Sequence, residues 1–293
     1  MSDQSLSAIM SERRQLINVA YRLLGSLVDA EDVVQDTYAR WYAMSPEEQQ
    51  EIRSPGAWLT TVASRICLDL LGSARARREK YVGEWIPEPL PGSEESTVDP
   101  ADRITLDESV NMAFLVVLES MTPAERVTFV LHDVFRYPFK EVAEIVGRTP
   151  AACRQLATSA RRRIRAAEAP VVTTAQKADI VRDFKRAWEA KDINALIGLL
   201  DPDAVSIADG GGIVPAFIDP IEGAERIATL LVDLAGRAPD LHFSERTVNG
   251  QPGLVAERAG EIAAVYAFDV VDNRIKHLWI VRNPEKLGPW KTA

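Results

Sequence analysis

The segment Val82 to Arg103, VGEWIPEPLPGSEESTVDPADR, sets the first limit on how this chain can fold. It carries Pro87, Pro89, Pro91 and Pro100 together with Glu84, Glu88, Glu94, Glu95, Asp99 and Asp102. Each proline fixes φ, lacks an N–H donor and pushes the residue before it out of the helical region, so no helix or inner strand can run through the segment. It is too polar to build a core of its own and reads as an acidic, partly extended linker. The helical patterns on either side therefore belong to separate lobes. Trp85 is the exception within it. A bulky aromatic on a free tether would stand in water, so Trp85 and Ile86 are expected to dock on something folded.

Before the linker the pattern is helical from about Ser11 to Leu71. Leu16, Val19, Ala20, Leu23 and Leu24 recur at helical spacing, and Gly25 is a stop signal. Asp29 reads as the N-cap of AEDVVQDTYARWYAM, and Ser54 with Pro55 as the N-cap and first residue of PGAWLTTVASRICLDLL. The stretch SARARREK then adds Arg75, Arg77, Arg78 and Lys80 against Glu79 alone.

Helical periodicity resumes near Leu106 and runs to about Glu168. Phe139, Val142, Ala143 and Val146 make one apolar stripe, Gly147 ends it, and Thr149 with Pro150 starts another helix. Two short helices joined by such a turn form a helix-turn-helix. Cys153, Leu156, Ala157, Ala160 and Ile164 line one face of the second helix. Ala151, Arg154, Gln155, Thr158, Arg161, Arg162 and Arg165 line the other. The whole chain has a formal net charge of -9, which argues against coating nucleic acid nonspecifically but permits this local basic face. Arg154 and Gln155, early in the recognition helix, are the candidates for base readout, with Thr158 beside them; Arg161, Arg162 and Arg165 are candidate phosphate anchors.

After a short hinge, APVVTTAQ, the character changes. Ala178 to Leu200 reads as helix, AVSIADG as a strand and GAERIATLLVDLAG as an amphipathic helix. Successive strands then follow, with Asn249-Gly250 and Asp272-Asn273 as turns. Helices followed by a run of antiparallel strands indicate an α+β domain. At 293 residues and 46% hydrophobic content the chain can hold two or three such cores. No apolar run approaches the ~20 residues that span a bilayer, and MSDQSLSAIMSERR lacks the form of a signal peptide, so a cytoplasmic protein without membrane contact is expected. Cys67 and Cys153 read as reduced packing residues. With His132, His242 and His277 they give no metal-ligand spacing, and no motif calls for a cofactor.

This order of parts resembles a bacterial extracytoplasmic-function (ECF) sigma factor. DAEDVVQDTYARW is similar to the family's helix that docks on the clamp of RNA polymerase, and SPGAWLTTVASRICLDLLGSARARR to the part that melts and reads the minus-10 element. The helix-turn-helix is similar to the minus-35 reader. The third segment resembles SnoaL-like domains of the NTF2-like cone fold. WIPEP at Trp85 to Pro89, DGGG at Asp209 to Gly212 and NPEKL at Asn283 to Leu287 resemble the hallmarks of the ECF41 group. The family commonly has a basic residue after DGGG where this chain has Ile213, so a salt bridge from that position is not expected.

The resemblance implies a sigma2 lobe over residues 1–80, an acidic linker over 81–105, a sigma4 lobe over 106–169 and a SnoaL-like regulatory domain over 170–293. It implies no catalytic task. Asp32, Gln35, Asp36 and Arg40 would contact core RNA polymerase through its beta and beta-prime subunits; without the family they would read as a solvated helix face. Arg65, Arg75, Arg77 and Arg78 would supply the cationic channel for melted promoter DNA, while Trp58, at helical spacing beside Leu59 and Val62, reads first as core. The linker motif Trp85, Ile86 and Pro87 is expected to pack with Asp209, Gly210, Gly211 and Gly212 and with Asn283 and Pro284, making the third domain a regulator in cis that needs no separate anti-sigma factor. An unidentified small ligand in its pocket is a further expected partner.

Two other classes compete at this level. One is a ligand-responsive helix-turn-helix repressor, which would bind duplex DNA without polymerase. The other is a catalytic isomerase or cyclase of SnoaL type fused to a sigma-like chain, for which Asp209, His242, Tyr266, Asp269 or His277 could be drafted as acid, base or donor.

Overall fold

The computed structural model describes residues 12–78, 81–92, 110–167 and 172–291, the side chains of 74–78 excepted. It forms two compact units. The first contains the described residues of 12–78 and 117–167, and the second those of 81–92, 110–116 and 172–291. The two helical lobes are thus one body, and the first part of the linker belongs to the α+β domain.

In the first unit α1 spans Arg13–Leu24, α2 Leu27–Ala43, α3 Pro46–Glu51 and α4 Pro55–Arg78. Helix α1 ends at Gly25, whose φ of 70° gives the left-handed turn a side chain would resist. Its buried face, with Leu16, Val19, Ala20 and Leu23, joins Val33, Val34 and Trp41 of α2 and Leu59, Ala63 and Cys67 of α4 in the buried core. Asp29 is not the cap of α2. Ser26 is: its extended backbone lets the hydroxyl accept from the Asp29 N–H, which puts Asp29 in the first turn, where a carboxylate suits the positive end of the helix dipole. Trp58 is half-buried, its ring edge-on to Trp41 at 5.3 Å.

Helix α5 spans Met112–Glu119 and α6 Pro123–Phe129, opened by a Thr122–Glu125 capping box. A π-helical turn over Val130–Val134 then leads to α7 (Phe139–Val146) and α8 (Pro150–Ala167). Gly147, at φ 67°, closes α7, and Thr149 accepts from the Ala152 N–H to open α8. Buried Arg126 of α6 ties the two lobes together, donating to the Leu23 carbonyl at 2.9 Å and pairing with Glu119 at 2.6 Å. Burial pushes its guanidinium down to about 9. Tyr137 adds a hydroxyl that donates to Thr60 and accepts from Gln15.

The second unit begins its helical part with α9 (Thr174–Glu189) and α10 (Ile193–Leu199). The single helix expected from Ala178 to Leu200 is broken, because Lys191 is left-handed at φ 56° and Asp192 caps a new helix by accepting from Ala195 N–H. Strands β1 (Leu200–Asp209) and β2 (Ile221–Glu222), α11 (Ala224–Arg237), β3 (Leu241–Val248), β4 (Gln251–Arg258), β5 (Glu261–Val271) and β6 (Arg274–Val281) follow. The six-stranded sheet has the order β2-β1-β6-β5-β4-β3. Its β3–β6 run is an antiparallel meander, while β1 pairs parallel with β6, so the sheet is mixed rather than wholly antiparallel.

Side chains of a strand alternate between faces, and the sheet accordingly has two cores. One face carries Leu254, Ala256, Tyr266, Phe268, Leu278 and Ile280 against Phe184 and Trp188 of α9 and Ile227 and Leu231 of α11, a sheet closed by helices as expected of the cone. The opposite face carries Val255, Val265, Ala267, Trp279 and Val281 against Ile86, Met112, Leu287 and Trp290. Residues 81–92 of the linker are extended and packed on the second unit, with Ile86 in its core. Their prolines, which exclude helix, hold the chain extended as an addition to the sheet margin: Leu90 exchanges hydrogen bonds with Asn249, Pro91 bridges Val248, and Gly92 N–H donates to Thr247. Ile86, Glu88 and Leu90 are buried there. The rest of the acidic run, with Glu94, Glu95, Asp99 and Asp102, lies outside the described residues.

Candidate nucleic-acid interface and linker socket

Helix α8 presents its two faces as its spacing dictates. Cys153, Ala157 and Ala160 are buried, and Arg154, Gln155, Thr158, Arg162 and Arg165 are exposed. The Arg154 guanidinium lies over the Phe139 ring, 5.5 Å from its centroid, which limits its rotamers without covering its forked donors. Thr158 turns its hydroxyl back to the Arg154 carbonyl at 2.8 Å. Arg161 differs from its neighbours: it pairs with Asp133 at 2.6 Å and is half-buried. Arg163, part of the same basic run, is exposed beside them.

On the sigma2 side Asp32, Gln35, Asp36 and Arg40 are all exposed on α2, opposite buried Val33, Val34, Thr37 and Tyr38. Arg65 is exposed and donates to the Glu144 carbonyl of α7 at 3.0 Å. Helix α4 reaches Arg75, Arg77 and Arg78, but their side chains lie outside the described residues.

In the second unit the chemistry converges on Asp209, the last residue of β1 and fully buried. Its carboxylate accepts from Tyr81 hydroxyl at 2.6 Å, Ile86 N–H at 3.1 Å, Gly211 N–H at 3.0 Å and Lys286 Nζ at 2.6 Å. A buried carboxylate needs such company, because transfer from water without partners costs more than a fold can offset. Lys286 is held as closely. Its ammonium also donates to the Ile86 carbonyl at 2.5 Å and lies 4.1 Å from the centroid of the Trp85 ring, a cation–π contact. Asn283 donates to the Tyr81 hydroxyl at 2.8 Å, and its N–H donates to the Asp209 carbonyl at 2.9 Å. Burial, and then the hydrogen bond to Asp209, push the Tyr81 phenol well above its ordinary range, which keeps it a donor. Trp290 completes the clasp by donating to the Pro89 carbonyl at 2.8 Å.

The structure thus brings Trp85, Ile86, Asp209, Gly211 and Asn283 together, along with Tyr81, Lys286 and Trp290, which sequence reasoning did not single out. The signal for Lys286 was its place in NPEKL; a buried aspartate calls for a cation, but spacing alone does not say which. Pro87 is buried in the docked segment, and Pro284 is half-buried after Asn283. Gly210, Gly211 and Gly212 fit tightly. A Cβ on Gly210 would sit 2.3 Å from the Val214 carbonyl oxygen, and Gly211, at φ 64°, has Asn283 Nδ2 at 2.4 Å from the same position. Gly211→Ala is expected to be strained twice over, by backbone and by contact. It should lower the melting temperature of the second unit by several degrees, measured by differential scanning calorimetry, whereas Gly236→Ala, with open space in α11, should not lower it.

Of the five residues considered for catalysis, only Tyr266 faces the cone. Asp209, His242, Asp269 and His277 lie on strand positions of the opposite face, with His277 Nδ1 3.0 Å from Asp269 and its ring stacked on Trp279. No pair of groups for acid–base work meets in the cone among the described residues. The same residues contain no cluster of three or more metal-ligating side chains, and no helix long and apolar enough to cross a membrane.

The model described as Sigma-70 region 2 matches residues 8–77, and that described as Sigma-70, region 4 matches residues 111–164. The chain is 38% identical over 287 residues to the ECF RNA polymerase sigma factor SigJ of Mycobacterium tuberculosis, covering 94% of this chain and 90% of that one. It is 33% identical over 291 residues to the probable ECF RNA polymerase sigma factor SigI of the same species, covering 98% and 96%. The crystal structure of Mycobacterium tuberculosis SigJ matches with a TM-score of 0.77 at 33% identity, over 96% of this chain and 98% of that one.

Proposed function

The chain belongs to the ECF RNA polymerase sigma factors, and from that premise we propose that its SnoaL-like domain governs promoter use in cis by gripping the linker. As an alternative sigma factor it binds core RNA polymerase and directs transcription initiation at its promoters; it is not an enzyme. The reading is carried by one observation: the linker motif is an integral part of the third domain, fixed by the buried carboxylate of Asp209. Whatever moves that domain moves the linker between the two promoter-reading regions. No separate anti-sigma factor is needed for such control, and its place of action is the cytoplasm, with the polymerase.

In the same reading Asp32, Gln35, Asp36 and Arg40 dock on the beta and beta-prime subunits, Arg65 joins Arg75, Arg77 and Arg78 along melted DNA, and α8 reads the minus-35 element. Phosphate contacts supply affinity and base contacts supply specificity. Transcription from the gene's own upstream region should therefore require core enzyme. With core enzyme present, Arg154→Ala and Gln155→Ala should relax base preference at one minus-35 position each, worth about 1–3 kcal/mol of discrimination. Arg162→Ala and Arg165→Ala should instead weaken all promoters alike and reduce the salt slope by about one each. Tight binding of the protein alone to duplex promoter, with no core-dependent transcript, would replace this reading by the repressor.

A further inference from the structure

The helix-covered side of the sheet holds a partly open pocket of about 320 Å³ that none of the sigma-factor chemistry uses. Its walls are mainly apolar, from Trp188, Phe217, Leu230, Leu234 and Ile280. The polar side chains among its lining residues are those of Arg237, Arg258 and Arg282, which only donate, and Tyr266, whose phenol donates or accepts. No carboxylate, imidazole or amide side chain lines it.

These donors are not equivalent. Arg237 is matched by Asp233 at 2.7 Å, and Arg258 by Asp240 through bonds of 2.7 and 2.9 Å. Arg282 has no carboxylate partner among the described residues, and its guanidinium donates to the Pro215 carbonyl. Tyr266 is only 5% exposed, its ring wedged edge-on against Trp188 and Phe243, and no described residue gives its hydroxyl a hydrogen bond. Burial pushes its phenol up, opposed by the nearby charge of Arg282, so at neutral pH it stays protonated and can donate.

We propose that this cavity is a binding site for an apolar monocarboxylic acid, an aromatic or medium-chain aliphatic one, whose carboxylate is taken by Arg282 and the Tyr266 hydroxyl. The class follows from the donor set. A forked guanidinium beside a phenol suits two carboxylate oxygens, and the apolar walls take the hydrocarbon. A sugar or nucleotide would bring several hydroxyls to a wall whose only acceptor side chain is the phenol, and an amine would face an unmatched cation. The volume lies at the small end of ligand pockets, which limits the body to a compact one.

The site also has a route to the linker, on the reading of the socket proposed above. The loop after DGGG supplies Pro215, Ala216 and Phe217 to the cavity wall, and Arg282 N–H donates to the Asp209 carbonyl at 2.7 Å. A carboxylate that draws the Arg282 guanidinium from Pro215 acts on the loop that holds Asp209.

The test uses full-length protein and isothermal titration with octanoate and cinnamate, each beside its uncharged amide. The acids are expected to bind one to one, and each amide at least tenfold more weakly. Arg282→Met should lose at least tenfold in affinity for the acid, Arg282→Lys should keep most of it, and Tyr266→Phe should lose about fivefold. Failure of both acids to bind, or equal binding of acid and amide by the unaltered protein, would overturn the site without any variant having to fold. A parallel core-dependent transcription assay with the bound acid separates the two ideas. Binding with no change in transcript overturns the link to the linker and leaves the site standing.

Discussion

Asp209→Ala is expected to change core-dependent transcript yield by about tenfold or more while leaving the helical unit folded. The substitution removes the acceptor of four hydrogen bonds and leaves Lys286 buried without its counter-charge. Breaking one partner out of a buried pair costs about 3–5 kcal/mol, because the remaining charge has lost its compensation. That is enough to release a segment held by a handful of backbone bonds, or to lower the melting temperature of the second unit by roughly 10 °C. Lys286→Met should resemble it. The double variant should cost less than the sum of the two, since it leaves no orphan charge in the socket. Purified variants, a calorimetric scan and single-round transcription suffice to decide. Transcription within twofold of the unaltered protein, with the socket demonstrably weakened, would mean that linker docking has no part in promoter use. The sign of a real change tells whether the grip restrains initiation or supports it.

What could be read in advance follows the range of the physics involved. The turn at Gly147 and the cap at Thr149-Pro150 are decided within five residues, and the basic face of α8 follows from helical spacing. Those features were legible. Asp29 misled because Ser26 offered a better cap three residues earlier, a choice set by backbone geometry rather than by residue type. The break at Lys191 was hidden for a similar reason: nothing about a lysine announces a left-handed backbone. The parallel pairing of β1 with β6 joins Asp209 to Val281, and no local pattern reports so distant a match. The socket was half legible. Motifs marked Trp85, Asp209 and Asn283, and an aromatic in an acidic tether had to be covered by something. Tyr81 and Lys286 appear only when the strand register brings residues from three parts of the chain to one carboxylate. The acidic linker reads as unable to form a core of its own, and its described part completes another domain's core, which composition does not test.

The union of the two helical regions in one unit leads to a second large effect. The minus-10 and minus-35 elements, by their names, lie roughly 25 base pairs apart, or roughly 85 Å along B-form DNA. A compact body of about 120 residues has a radius of gyration of about 14 Å and a diameter of about 35 Å. In the roles proposed for them, helices α4 and α8 therefore cannot occupy both elements while the unit stays closed, and Arg126, Tyr137 and Arg65 hold it closed. Of these, Arg65 must also change partners, since its donor to the Glu144 carbonyl is the group assigned to DNA. Joining Gln15→Cys to Tyr137→Cys, at positions that are exposed and half-buried, with a short bifunctional maleimide is expected to cut core-dependent transcription at least twentyfold. The same double variant without the linker should transcribe normally or better, because the change removes two hydrogen bonds that favour the closed form. Cys67 and Cys153 are fully buried and should not compete for the reagent. A cleavable version of the cross-linker should restore activity on cleavage, which excludes damage by modification. Undiminished transcription from the cross-linked protein would show that the closed unit initiates as it stands, and the distance argument would fall with it.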